Sequence, residues 1–166
     1  KSGQGTWTDE VARIHDIDPA EATSIEMGLS LYNEASRKLI TDAMNDAARH
    51  GVPYDLELEM VTHNGVHKWV RTMGFPVTEN GQVTRLRGII KDITDSKAIE
   101  IERETALEFL RLINEVSDTP DLIRHALEFF QQKSGCEAAG IRLSRNGDYP
   151  YYEVRGFSKE FVALEN

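Results

Sequence analysis

Cysteine is nearly absent from this chain. Cys136 stands alone among 166 residues, so neither an intrachain disulfide nor a multi-cysteine zinc site can form. A single thiol fits a reducing, cytoplasmic setting. No run of about 18 apolar residues occurs, and no basic stretch leads into an apolar segment with a small-residue cleavage site. Neither spanning nor secretion has a signal, and no direct membrane contact is expected of this segment. Positive charge is also in short supply: 19 Lys and Arg stand against 28 Asp and Glu, a net charge of -9. That balance works against binding a phosphate backbone, which depends on counterion release by cations, and nucleic acid is disfavoured as a partner. Catalytic signatures are missing too. The sequence has no Gly-rich phosphate loop, no Gly-x-Ser-x-Gly elbow and no His-Glu-x-x-His pair, so no residue is assigned a catalytic role.

What is present describes a folded chain. Hydrophobic residues make up 40% and charged residues 28%, close to globular averages and unlike a disordered sequence. The length suits one ordinary domain, or a small one with a helical extension.

Asn-Gly pairs provide the clearest punctuation, because a type I′ hairpin turn needs positive φ at both central residues. Asn64-Gly65 and Asn80-Gly81 separate three alternating stretches, 54–61, 66–75 and 83–92, which are expected to form a three-stranded antiparallel meander. Asn146-Gly147 predicts a further hairpin between 138–143 and 151–155. Helical spacing appears at 36–50, with Leu39, Ile40, Ala43, Met44 and Ala47 on one face and Gly51 as a stop. From about Ser96 a longer pattern places Ile99, Ala106, Phe109, Ile113 and Val116 at heptad a and d positions, with Glu102 spoiling one of them. This stripe predicts a parallel homodimer. Thr119-Pro120-Asp121 has the form of a helix start with Thr119 as cap, and Gly135 ends that helix.

Several segments together resemble the PAS family of sensory domains, in the form common in bacterial and archaeal sensor kinases. Thr6-Trp7-Thr8-Asp9-Glu10, followed by Arg13-Ile14-His15 and Asp18-Pro19, resembles that form's second strand and the short helix after it. Gly51-Val52-Pro53-Tyr54 resembles the run from the connecting helix into the third strand. Lys68-Trp69-Val70-Arg71 is similar to the aromatic fourth strand, and Gly88-Ile89-Ile90-Lys91-Asp92-Ile93-Thr94 to the last strand with its Asp-Ile-Thr ending. The first strand of the family would precede Trp7 and is expected to be missing, leaving a sheet edge open. From about Glu104 the order of two helices, Gly135-Cys136-Glu137-Ala138-Ala139-Gly140-Ile141-Arg142-Leu143 and Tyr151-Tyr152-Glu153-Val154-Arg155-Gly156-Phe157 resembles the beginning of a GAF domain.

The resemblance implies an α+β fold: a PAS-like antiparallel sheet with flanking helices over 1–95, a signalling and connecting helix over 96–116, and the N-terminal part of a GAF-like α/β domain over 117–166. It implies a sensory and relay module of a multidomain protein, with a histidine kinase as the usual output and a cyclic-dinucleotide enzyme as another. A ligand-free dimerisation module is the rival. Asp92, Ile93 and Thr94 are the expected relay, where Asp92 meets a basic residue and Thr94 or Asp95 caps the next helix. Met44, Met60, Trp69 and Met73 are candidates for a small-molecule pocket, with Met27 a fourth methionine of the same segment; core filling is the plainer reading.

No cofactor is named by the sequence. A flavin–cysteinyl adduct needs a thiol in the PAS pocket, and Cys136 lies outside it, while non-covalent flavin stays open. His50 invites a haem reading, against the plainer one of a histidine near the carbonyls of the last helical turn. His63 and His67 flank a turn, where solvation suits them and no cysteine or paired acid completes a metal site.

Overall fold

The computed structural model describes residues 6–20 and 24–165. The chain divides into two compact units, Lys1–Ile99 and Glu100–Asn166.

In the first unit three helices lead into a sheet: α1 (Asp9–Ile14), α2 (Ile25–Ser30) and α3 (Glu34–His50). Each begins on a side chain that takes an orphan amide. Thr8 accepts from Val11 N–H, Ser24 from Met27 N–H and Asn33 from Ser36 N–H at 2.8 Å. The second strand expected at 6–10 does not form: residues 6–8 are irregular and Asp9 and Glu10 open α1, where acidic residues suit the positive end of a helix. The expectation about a strand before Trp7 falls largely outside the described residues. Arg37 donates to the carbonyls of Leu29, Ser30 and Tyr32, tying the end of α2 to α3. Gly51 ends α3 at φ 70, a left-handed conformation in which glycine carries no Cβ clash.

The strands β1 (Tyr54–Val61), β2 (His67–Glu79) and β3 (Gln82–Asp92) form one antiparallel sheet in that order, with Leu58 opposite Val70 and Val70 opposite Asp92. The turn at Asn80-Gly81 has positive φ at both residues, as a type I′ turn requires. The one at Asn64-Gly65 does not; only Gly65 is positive, because Thr62 captures the loop through its N–H to Val66 O and its hydroxyl oxygen from Val66 N–H. Pleating sends Leu58, Met60, Val70 and Thr72 to one face and Trp69, Arg71, Met73 and Phe75 to the other. α3 covers the first face. Ile14, Tyr32, Ile40, Leu58, Met60 and Val70 form the core there, and burying a side chain such as Leu58 contributes about 1.5–3 kcal/mol.

The helix α4 (Thr94–Glu115) begins in the first unit and its remainder belongs to the second, with α5 (Thr119–Ser134), the hairpin β4 (Ala139–Arg142) and β5 (Tyr151–Arg155), and α6 (Lys159–Glu165). The cap of α5 is Asp118 rather than Thr119, and Asp118 makes no side-chain cap bond. Phe109 of α4 meets Phe129 and Phe130 of α5 at 5.3 and 5.0 Å between ring centres. Asn146 and Gly147 both have positive φ in the β4–β5 connection.

Candidate functional site: the junction of sheet and exit helix

Where β3 ends, the backbone stays attached to β2 for one more step. Ile93 N–H donates to Trp69 O at 2.8 Å, and the buried Ile93 side chain anchors the chain as it leaves the sheet. Thr94 Oγ1 accepts from Trp69 N–H at 3.1 Å, so both main-chain groups of Trp69 are engaged by the start of α4. Asp92 Oδ1 accepts from Thr94 N–H at 3.0 Å and from the Thr94 hydroxyl at 2.6 Å. Asp92 therefore takes the first amide of α4, while Thr94 and Asp95, expected to supply the cap, are already inside the helix. A carboxylate can take this position because it carries a full charge against the helix's positive end.

The second oxygen of Asp92 lies 4.0 Å from Lys68 Nζ. Lys68 is the hub of the site. Its ammonium donates to Ile14 O at 2.9 Å and to Asp16 Oδ1 at 3.3 Å, and its side chain is only 17% exposed. Asp16 stands at φ 55, a left-handed conformation that Asp tolerates better than most residues. The Thr62 hydroxyl, and then Lys68, hold the Asp16 carboxyl below its usual range. Beside it His15 is 2% exposed, with its ring 4.4 Å from that of Trp7 and Nδ1 2.7 Å from Val11 O. Burial lowers the His15 pKa most; the Val11 carbonyl opposes that, and the nearby Lys68 charge adds to it. On the other face, Lys97 of α4 pairs with Glu57 at 2.7 Å and lies over the Trp69 ring at 5.5 Å. The arrangement holds charge and backbone in place.

Asp92, Ile93 and Thr94 are thus brought together with Trp69. The proposed pocket residues are not: Met60 lies in the core and Met44 packs against it, whereas Trp69 and Met73 point to the opposite face of the sheet, so the four do not line one space. An open groove of about 470 Å³ lies instead between the end of α3 and the β2–β3 turn, lined by Arg49, His50, Gly51, Thr78, Gln82 and Val83. His50 is exposed there, 3.4 Å from Asp46. His63 and His67 are exposed, and among the described residues no group of three or more His, Cys, Asp or Glu is placed to hold a metal. On α4, Ile99, Ala106 and Ile113 are exposed beside Leu110, Phe109 is turned towards α5, and Val116 follows the last helical residue.

A family model described as the PAS fold matches residues 4–90. The chain belongs to the PAS family. PAS domains are sensory modules, and the relatives of this one include sensor kinases. The blue-light-activated histidine kinase of Brucella ovis is 29% identical over 113 residues, covering 65% of this chain and 22% of that protein. The chain therefore spans about a fifth of the length of the curated relatives it matches. Among solved structures, a sensory box histidine kinase/response regulator from Burkholderia thailandensis superposes with a TM-score of 0.56 at 23% identity, over 66% of this chain and 82% of that one. An RNA-binding light-oxygen-voltage receptor superposes with a TM-score of 0.51 at 17% identity, over 61% of this chain and 31% of that one. At such identities the likeness is one of fold: an α+β PAS domain with an antiparallel sheet and flanking helices. Among the described residues no helix is long and apolar enough to cross a membrane.

Sequence reasoning missed Lys68 as the hub, and Asp16 and His15 as its neighbours. Lys68 reads locally as a polar strand position; its partners are more than 20 residues away, which no local pattern encodes.

Proposed function

We propose that this chain is a sensory and signal-relay piece of a multidomain signalling protein, a histidine kinase. A ligand- or state-dependent change in the PAS domain passes through Asp92, Ile93 and Thr94 into α4 and on to downstream domains. One observation supports the reading above others: the first residue of α4 is bonded both to the β2 backbone at Trp69 and to the Asp92 carboxylate, so a shift of β2 against β3 must disturb the helix start. A signal has this effect only when it interacts differently with two states of the sheet. In this reading 1–95 senses, 96–116 relays, and 117–166 is the N-terminal part of a GAF-like domain, for which α5 and the β4–β5 hairpin supply the expected order of elements. Two copies pair in parallel along the stripe of Ile99, Ala106, Phe109, Ile113 and Val116, and the homodimer works in the cytoplasm.

A flavin–cysteinyl adduct is not part of this reading, since Cys136 belongs to the second unit, while non-covalent flavin stays open. The deciding experiment compares Asp92→Ala with Leu58→Ala in the full-length parent protein. Asp92→Ala should alter basal or signal-dependent output with little change in thermal midpoint, while Leu58→Ala should act through stability. Wild-type output in Asp92→Ala overturns the relay.

A second reading, a ligand-free dimerisation module, is favoured by the packing beneath the sheet: Leu58, Met60 and Val70 fill that space at 1%, 1% and 0% exposure. Native mass spectrometry of the purified protein separates the two, because a co-purifying small molecule supports sensing by ligand and a bare mass supports the module.

A further inference from the structure

His15 is a fully buried titratable group placed at the start of the chain of contacts that ends on α4. We infer that His15 is a proton-sensitive latch on the exit-helix junction, whose protonated ring loosens the Asp16–Lys68–Asp92 chain holding the start of α4. The inference rests on the relay reading for its consequence in the parent protein, but its physics is contained in the first unit.

The short Nδ1 contact with Val11 O requires a hydrogen on Nδ1, so the neutral ring donates there and an added proton enters at Nε2. The ring is packed on Trp7 and has almost no exposure to water, so the charged form lacks hydration where it sits. Among the described residues two charged groups act on it, Lys68 from β2 and Asp16 from the turn after α1. They respond to the new charge in the same sense. The imidazolium repels the Lys68 ammonium and attracts the Asp16 carboxylate, and both effects weaken the 3.3 Å contact between them. Lys68 is also what joins Ile14 O to Asp92, and Asp92 holds the first amide of α4. One proton taken from solvent is thus felt at Thr94 by way of three side chains. The His63 N–H bonded to His15 O ties the β1–β2 loop to the same movement. The remaining histidines, His50, His63, His67 and His125, have exposed side chains outside this chain of contacts.

The test is a residue-resolved NMR titration of this chain from pH 8 down to about pH 3, a range that spans the histidine and the carboxylate midpoints. The His15 ring is expected to titrate below 6.5, with the Thr94 and Trp69 amides shifting at the same midpoint. His15→Phe keeps a ring against Trp7 and should abolish those amide shifts; Lys68→Gln should leave His15 titrating while Thr94 no longer follows. Amide shifts that persist in His15→Phe, a stationary Thr94 while His15 titrates, or coupling that survives Lys68→Gln each overturn the latch. Should His15→Phe fail to fold, the wild type alone decides, because a Thr94 midpoint near that of exposed carboxylates, about 4, overturns the latch equally. The relay fails separately, by unchanged output in Asp92→Ala even where the titration couples His15 to Thr94.

Discussion

The two units of this chain bury their apolar side chains to very different depths. Among the described residues every buried hydrophobic side chain except Leu127 belongs to the first unit. There a long helix lies across three strands, and two layers close over Leu58, Met60 and Val70. The second unit has a two-stranded sheet and relies on ring clusters, Phe109 with Phe129 and Phe130, and Tyr151 with Phe157 and Phe161. A lone hairpin is marginal in water, and aromatic rings supply much contact area at half-exposed positions. Within these residues the deeper interior goes with the wider sheet.

The largest effect that would break this contrast comes from the core. Leu58→Ala should cost about 2–5 kcal/mol and lower the urea midpoint of the first unit, whereas Leu127→Ala should lower a separate and earlier transition of the second. A single transition in which both variants shift together would show that the units do not differ as described. Hydrogen exchange sharpens the same point. Amides of β1 and β2 should exchange only through global opening of their unit, and those of β4 and β5 through cheaper local opening. Removing the α3 cap by Asn33→Ala should cost about 0.5–2 kcal/mol, since Asn33 holds Ser36 N–H and also donates to Glu59 across the layer.

A graded effect follows from His15. Its native pKa lies below 6.5, so between that lower value and 6.5 the unfolded chain binds the proton and the native chain does not. Stability contributed by the neutral ring is fully present above pH 6.5, declines as pH falls below it, and stops declining once the native ring is itself protonated. Asp16, also lowered, adds loss in the same direction below 3.8. Thermal midpoints measured from pH 7.5 to 5 should fall in the wild type and stay flatter in His15→Phe. The smallest change is at the surface: Ile99→Ser should alter stability by no more than about 0.5 kcal/mol, yet reduce the apparent mass in light scattering if α4 pairs two copies.

The meander was legible because alternation and Asn-Gly turns are local signals; 54–61 became β1 residue for residue. The strand expected at 6–10 was not, because Thr8 beside two acids offers a helix cap that outweighs the β-propensity of Thr6 and Trp7. Asp92 could be placed at the junction from its position, but its hold on the Thr94 amide depends on where its carboxylate turns once Ile93 N–H is bonded to Trp69 O. Separating Trp69 from Met60 needed the register, since a shift of one residue exchanges the two faces of a strand.

The bonds from Trp69 to Ile93 and Thr94 also set an order of events in time. They join residues 24 and 25 apart in sequence, and they become available only when β2 and β3 have paired, because Trp69 lies just beyond the last pair of that ladder, Val70 with Asp92. Closing such a loop costs entropy before any contact rewards it, so these bonds are expected to form late in folding, after the barrier. Thr94→Ala should consequently speed unfolding while leaving the folding rate near that of the wild type, the kinetic signature of a contact made last.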